Sequence, residues 1–287
     1  MPFSCAGFSG GWARCCGTII ALALVSCATP SEKIAVHAGA LGFEAGLLIG
    51  SGFHHAAYFA GVDDRSDTLR VYVEHDGTPW LGASRVSPDP TPRSPVALEL
   101  MARDAGPRLW LGRPCYFEFR DAPGCAPLMW THRRYAPEVV TSMVAALREF
   151  LTEHPFRNVV LVGYSGGGTL AWLMASHVPE ATSVVTLAAN LDTDYWTSLH
   201  GYSPMTGSLN PAREPPLPPA IRQVHYVGGR DLNVPPSVAR MFRTRHPEAL
   251  VVEFADFDHR CCWVERWPEM VGKGDGPAAS QPKGPPG

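Results

Sequence analysis

Ser165 stands in Gly163-Tyr164-Ser165-Gly166-Gly167-Gly168, between the apolar run Asn158-Val159-Val160-Leu161-Val162 and a stretch that reads as a helix. A serine on a sharp glycine turn between strand and helix has its hydroxyl placed to attack an acyl group. The glycines on either side matter because the turn is tight, and a side chain there would collide with the strand or the helix. The five-residue pattern alone is weak: with 28 glycines in 287 residues, Gly-x-Ser-x-Gly arises by chance roughly 0.16 times. The competing reading is a glycine-rich helix entrance that binds an anion. A phosphate loop is disfavoured, because no Lys-Ser or Lys-Thr follows the glycines. The strand before and the helix after favour the nucleophile.

A serine hydroxyl needs a base to take its proton and an acid to orient that base. Asp231 follows a strand within Gly229-Arg230-Asp231-Leu232-Asn233-Val234-Pro235, and His259 follows the next strand within Phe257-Asp258-His259-Arg260. Asp231 has a plainer alternative as a turn residue or helix N-cap. Asp192 and Asp194 compete as the acid but lie too early in the chain, and Asp256 and Asp258 lie too near His259. Of the 11 histidines, His259 alone sits in a turn after the last strand, with Trp263 and Trp267 behind it to shield a site. His200 and His225 are the fallback candidates. His54-His55 lacks metal-ligand spacing and reads as an exposed strand edge or loop. No metal or other cofactor is expected.

The elements that must hold these groups alternate. Strands are expected at Leu69–Glu74, Arg108–Leu111, Asn158–Val162, Ser183–Ala188, Gln223–Val227 and Ala249–Phe254. Helices are expected at Val96–Arg103, from Pro137 to before Pro155, at Gly167–His177 and around Ser237–Arg245. The Pro137 helix puts Val140, Met143, Val144, Leu147 and Leu151 on one face. Ser31–Ala60 reads as two or three strands of a meander, and Asn190–Pro219 as a long irregular segment bearing Tyr195, Trp196 and Tyr202. Strands alternating with helices imply an α/β fold with a mostly parallel sheet covered on both faces.

Hydrophobic content of 45% and charged content of 18% describe a globular chain, and a formal net charge of -3 gives no footprint for nucleic acid. Arg14 is the only charge before the short apolar run Gly17–Val25, which ends in Leu24-Val25-Ser26-Cys27. That stretch resembles a bacterial lipobox, which implies cleavage before Cys27 and lipidation of Cys27. The alternatives are an ordinary signal peptide cut near Ala28, or a short membrane anchor. The lipobox implies a lipoprotein of the cell envelope, and Ala28 implies outer-membrane anchoring with the domain facing the periplasm. The expected layout is a signal peptide over 1–27, a folded domain over 31–270 and a disordered Gly/Pro-rich tail over 271–287. Cys5, Cys15 and Cys16 leave with the signal. Cys115 and Cys125 flank a turn in an oxidising compartment and are expected to form a disulfide. Cys261 and Cys262 are adjacent, and read as a strained bridge or as small buried apolar residues. Neither pair has the gap of a zinc knuckle.

Together, the strand, Asp76-Gly77-Thr78-Pro79, the glycine-serine turn, Asp231 and His259 resemble the α/β-hydrolase superfamily from about Ser31 to Met270. Arg113-Pro114-Cys115 and Trp130-Thr131-His132-Arg133-Arg134-Tyr135 resemble segments of mostly uncharacterised bacterial secreted or lipoprotein serine hydrolases. The resemblance implies Ser165 as nucleophile, His259 as base, Asp231 as acid, and an oxyanion hole from the N–H groups of Gly166 and Thr78. It implies a serine hydrolase acting through an acyl-enzyme on a small ester or acyl substrate, with carboxylic esters favoured. An amidase or peptidase with the same groups is the alternative, as is a non-catalytic envelope protein that keeps the fold. Tyr195, Trp196 and Tyr202 fall where this superfamily inserts a lid, and either line an acyl pocket or pack on their own domain.

Overall fold

The computed structural model describes residues 28–82 and 84–275. The signal-peptide reading, Cys27 included, and the tail beyond residue 275 lie outside the described residues. Eight strands form one sheet: β1 (Glu44–Ile49), β2 (His54–Ala60), β3 (Thr68–Val73), β4 (Arg108–Leu111), β5 (Asn158–Tyr164), β6 (Ala181–Leu187), β7 (Arg222–Gly228) and β8 (Leu250–Phe254). Their order across the sheet is β1-β2-β4-β3-β5-β6-β7-β8. The pairs β1/β2 and β2/β4 are antiparallel and every later pair is parallel. Trp80–Leu81 and Arg85–Val86 form a separate short ribbon.

Among the described residues, seven α-helices accompany the sheet: α1 (Pro30–Ala40), α2 (Val96–Ala102), α3 (Pro137–Glu153), α4 (Gly166–Ala175), α5 (Thr193–His200), α6 (Pro236–Arg243) and α7 (Trp263–Asp275). Helices α3 and α4 pack together on one face, and Trp172 of α4 meets Phe242 of α6 edge-on at 5.6 Å. The other face carries α2 and α7, where the Trp267 indole N–H donates to the Tyr72 hydroxyl of β3. The sheet is thus buried from both sides, which is why β5 reads as a continuous apolar run and not as an alternating one. Helix α3 starts at Pro137 and buries Val140, Met143, Val144 and Leu147, as its pattern requires.

Register decides where the functional groups emerge. Val73 pairs with Gly163, Tyr164 with Leu187, Leu187 with Tyr226, and Gly228 with Phe254. The parallel strands therefore end level, and the turns after β3, β5, β7 and β8 open on one edge.

Several expectations need correction. Residues 30–40 form a helix, not a strand: Thr29 accepts from the Glu32 N–H, and the Glu32 carboxylate accepts from the Thr29 N–H. This capping box, with proline in the first turn, outweighs the small residues that suggested a meander. His55 is not an exposed edge residue. It is fully buried, its Nδ1–H donates to the Gly112 carbonyl, and its Nε2 accepts from the Ser142 hydroxyl. The segment after Asn190 is not wholly irregular, because Asp192 caps α5. Helix α7 continues to Asp275, past the expected boundary at Met270. Cys115 and Cys125 are bridged at 2.05 Å, and Cys261 and Cys262 are joined as well, with Cys261 exposed.

Candidate active site

The turn after β5 holds Ser165 at φ 53°, ψ -124°, a left-handed conformation that a serine adopts only under constraint. The constraint comes from both sides. The Ser165 N–H donates to the Leu187 carbonyl at 2.8 Å, tying the turn to β6. A Cβ on Gly163 would strike the Gly167 backbone, and one on Gly167 would strike the carbonyls of Val73 and Glu74. The glycines thus let α4 start directly against the ends of β5 and β3. Ser165 makes no side-chain cap to its own helix, so its hydroxyl points elsewhere.

That hydroxyl meets His259. Its Oγ lies 3.1 Å from His259 Nε2, and His259 Nδ1 lies 2.8 Å from Asp231 Oδ2. Because the Asp231 carboxylate can only accept, Nδ1 carries the hydrogen and Nε2 is free to take the serine proton. Asp231 is fixed in turn: its Oδ1 accepts from the N–H groups of Asn233 and Val234, each at 2.8 Å. Its side chain is fully buried, while the imidazole is 18% exposed. The structure thus brings Ser165, His259 and Asp231 into one hydrogen-bonded chain.

The other candidates lie elsewhere. His225 is buried against Thr186 and Gln223, and His200 bonds the Asn233 carbonyl. Asp192 caps α5, Asp194 pairs with Arg213, Asp256 pairs with Arg230, and Asp258 accepts from the Arg260 and Cys261 N–H groups. Trp263 is buried and donates to the His259 carbonyl at 3.2 Å, so it braces the histidine turn from behind. Trp196 and Tyr202 pack on each other and on His200. Among the described residues, no group of three His, Cys, Asp or Glu side chains is placed to hold a metal ion.

The N–H of Gly166, first residue of α4, has no acceptor among the described residues and lies at the positive end of the helix. Thr78 is different. Its N–H donates to the Pro90 carbonyl at 2.8 Å, so the expected second oxyanion donor is already occupied. Gly77, at φ 65°, brings the two backbones together, and a Cβ there would collide with the same carbonyl.

The surroundings of Asp76 are not legible in the sequence. Its carboxylate accepts from Arg113, from Arg134 at 2.9 Å and from the Tyr135 hydroxyl at 2.7 Å. A Cβ on Gly166 would collide with Asp76 Oδ1 and Tyr135 Oη, so this cluster lies directly behind the serine turn. The one readable signal is the pair of arginine-bearing segments, Arg113-Pro114-Cys115 and Trp130-Thr131-His132-Arg133-Arg134-Tyr135.

No family model and no curated protein matches the sequence. Solved structures do. An esterase from Pyrococcus furiosus superposes with a TM-score of 0.56 at 13% identity, covering 88% of this chain and 96% of the other. The acylaminoacyl peptidase of Pyrococcus horikoshii gives 0.55 at 12% identity, covering 80% of this chain and 40% of the other. A bacterial membrane phospholipase A gives 0.50 at 14% identity, over 85% and 88% of the two chains.

The fold is the α/β-hydrolase fold. At identities this low, the fold is what is shared with these enzymes. Within the α/β-hydrolase fold, the turns after β5, β7 and β8 are those that carry Ser165, Asp231 and His259 here.

Proposed function

We propose that this chain is a serine hydrolase that cleaves carboxylic esters. The observation that carries the reading is the hydrogen-bonded chain from Ser165 Oγ through His259 to Asp231, at 3.1 and 2.8 Å. His259 Nε2 takes the proton as Ser165 Oγ bonds to the ester carbonyl carbon. Asp231 stabilises the imidazolium, and the Gly166 N–H donates to the oxyanion. Collapse of the tetrahedral intermediate breaks the bond to the alcohol, which leaves with the proton from His259. Water then attacks the acyl-enzyme with the same base, and the carboxylic acid departs. The esterase and the phospholipase among the similar folds support the ester reading, and the acylaminoacyl peptidase supports the amidase as the second reading.

The reading is tested with a fluorophosphonate probe and a panel of p-nitrophenyl esters of rising chain length, set beside matching anilides. Labelling at Ser165 and ester turnover are expected, both lost in Ser165→Ala. A folded wild-type chain that neither labels nor turns over any ester refutes it, and faster turnover of anilides favours the amidase.

The lipobox supports a second part of the proposal, that the domain is tethered to a bacterial envelope membrane by lipid on Cys27. Among the described residues, no helix is long and apolar enough to cross a membrane. Incorporation of an alkyne-tagged fatty acid that is lost in Cys27→Ser is the expected result. Incorporation that persists in the variant overturns it.

A further inference from the structure

Three sequence motifs that Ser165, His259 and Asp231 leave without a role meet on one carboxylate. They are Asp76-Gly77-Thr78-Pro79 after β3, Arg113-Pro114-Cys115 after β4, and the segment ending in Arg134-Tyr135 before α3. Every polar group of Asp76 except one has a partner. Arg113 donates to Oδ1, while Arg134 and the Tyr135 hydroxyl donate to Oδ2. The Tyr116 hydroxyl donates to the Asp76 carbonyl at 3.0 Å. The Asp76 N–H alone has no acceptor among the described residues. Its neighbours are used: the His75 N–H by Glu74, the Gly77 N–H by His75 Nδ1, and the Thr78 N–H by the Pro90 carbonyl. The turn after β3 therefore keeps one open donor, on the residue whose carboxylate lies against Gly166.

We propose that Arg113, Arg134, Tyr116 and Tyr135 form a positioning cage around Asp76. The cage aims the Asp76 N–H at the oxyanion of the reacting acyl group and offsets the carboxylate charge beside it. The proposal rests on the serine-hydrolase reading and deepens it. A donor fixed before the reaction needs no reorganisation as charge develops, which is where such a donor has its effect. A bare carboxylate at this place would repel the forming oxyanion. Two guanidinium cations against one carboxylate leave the cluster with a net positive charge.

The electrostatics agree with this role. Burial works to raise the Asp76 pKa, but the guanidinium groups of Arg134 and Arg113 outweigh it and hold the carboxyl well below the usual range. Asp76 is therefore ionised, and only an ionised carboxylate accepts from two arginines and a phenol together. Arg113 is nearly inaccessible, with Tyr116 and Tyr135 within 5.0 and 5.5 Å of its guanidinium carbon. The loop carrying Arg113 and Tyr116 bends through two left-handed residues that are not glycine, Cys115 at φ 64° and Phe117 at φ 58°. That conformation is costly and persists only where its surroundings enforce it.

The test uses Tyr135→Phe, Tyr116→Phe and their combination, which remove hydroxyls with little change in volume. Arg134→Lys and Arg134→Gln separate charge from the guanidinium fork. Turnover of the best p-nitrophenyl ester is measured per active site, counted by fluorophosphonate titration so that unfolded protein drops out. The inhibition constant of an alkyl trifluoromethyl ketone, whose adduct with serine carries an oxyanion, is measured alongside.

Each tyrosine variant is expected to lower kcat about 10-fold with KM within about 2-fold, and the ketone should weaken in proportion to kcat/KM. Arg134→Gln should fall about 10-fold further than Arg134→Lys, because it also removes the charge. Tyrosine variants with wild-type kcat and ketone affinity overturn the proposal, as does a fall in kcat that leaves ketone affinity unchanged. Either result leaves the hydrolase reading standing, since wild-type turnover and labelling test that separately.

Discussion

The phenol of Tyr164 donates to the backbone carbonyl of His259 at 2.6 Å. The residue before the serine thus holds the turn that carries its base, and the two rings lie 5.5 Å apart. Burial pushes the Tyr164 hydroxyl pKa upward, so it stays a donor across the working range. Tyr164→Phe leaves Trp263 as the remaining side-chain donor to that carbonyl. Its kcat should fall about 3- to 10-fold, and unfolding should become easier by about 1 kcal/mol. Steady-state kinetics beside urea unfolding checks both; an unchanged kcat would show that Trp263 suffices.

Asp231 does two jobs with two oxygens. In Asp231→Asn, the amide oxygen can still accept from Asn233 and Val234, which turns the amide nitrogen toward His259 Nδ1. The imidazole then holds its hydrogen on Nε2, the wrong place for a base, and kcat should fall about 10³–10⁴-fold with the fold intact. Asp231→Ala also releases the turn and should cost about 2 kcal/mol of stability. Circular dichroism and ester kinetics on both variants separate these effects.

The same turns show what the sequence made legible. Ser165, Asp231 and His259 could be read because each follows an apolar run at a strand end, and chain order orders those ends in space. The open N–H of the turn after β3 is not legible in the same way. Which N–H in a four-residue turn stays open depends on the Pro90 carbonyl, which comes from a loop across the site. The arginines that meet Asp76 lie 37 and 58 residues away along the chain, and no local pattern reports where such long side chains converge. Likewise, His54-His55 reads as an exposed edge, yet His55 is buried between the Gly112 carbonyl and the Ser142 hydroxyl, partners 57 and 87 residues away that no local pattern reports.

Acid should destabilise the fold through histidines remote from the site. Burial lowers the His55 pKa to about 4 and the His225 pKa to about 3. Both are lowered on folding, so below pH 6.5 the unfolded chain binds protons that the native state refuses. Stability is then full above pH 6.5 and falls by about 1.4 kcal/mol per pH unit for each residue, down to the folded values. Glu74, whose pKa burial raises, opposes part of this loss at the acid end. Urea unfolding at pH 7 and 5.5 should differ by about 2 kcal/mol. His55→Gln should halve that difference, and a flat profile would contradict it.

The Cys115–Cys125 bridge closes a short loop, with a sequence separation of 10. Replacing both cysteines with serine should lower stability by about 3 kcal/mol, read as a drop in the thermal midpoint. A midpoint equal to the wild type would mean that the loop is held by its packing alone.

The position of that bridge reaches further than stability. Cys115 lies between Arg113 and Tyr116, both of which hold Asp76. The loop that delivers these two side chains is also tied by the Phe117 N–H to the Thr91 hydroxyl and by Arg113 to the Arg134 carbonyl, so the bridge adds a covalent tie to a loop already fixed by hydrogen bonds. Breaking the bond is therefore expected to loosen the Arg113 and Tyr116 contacts to Asp76 before it disturbs the sheet. Stability and the aim of one backbone N–H are thus coupled through a single covalent bond.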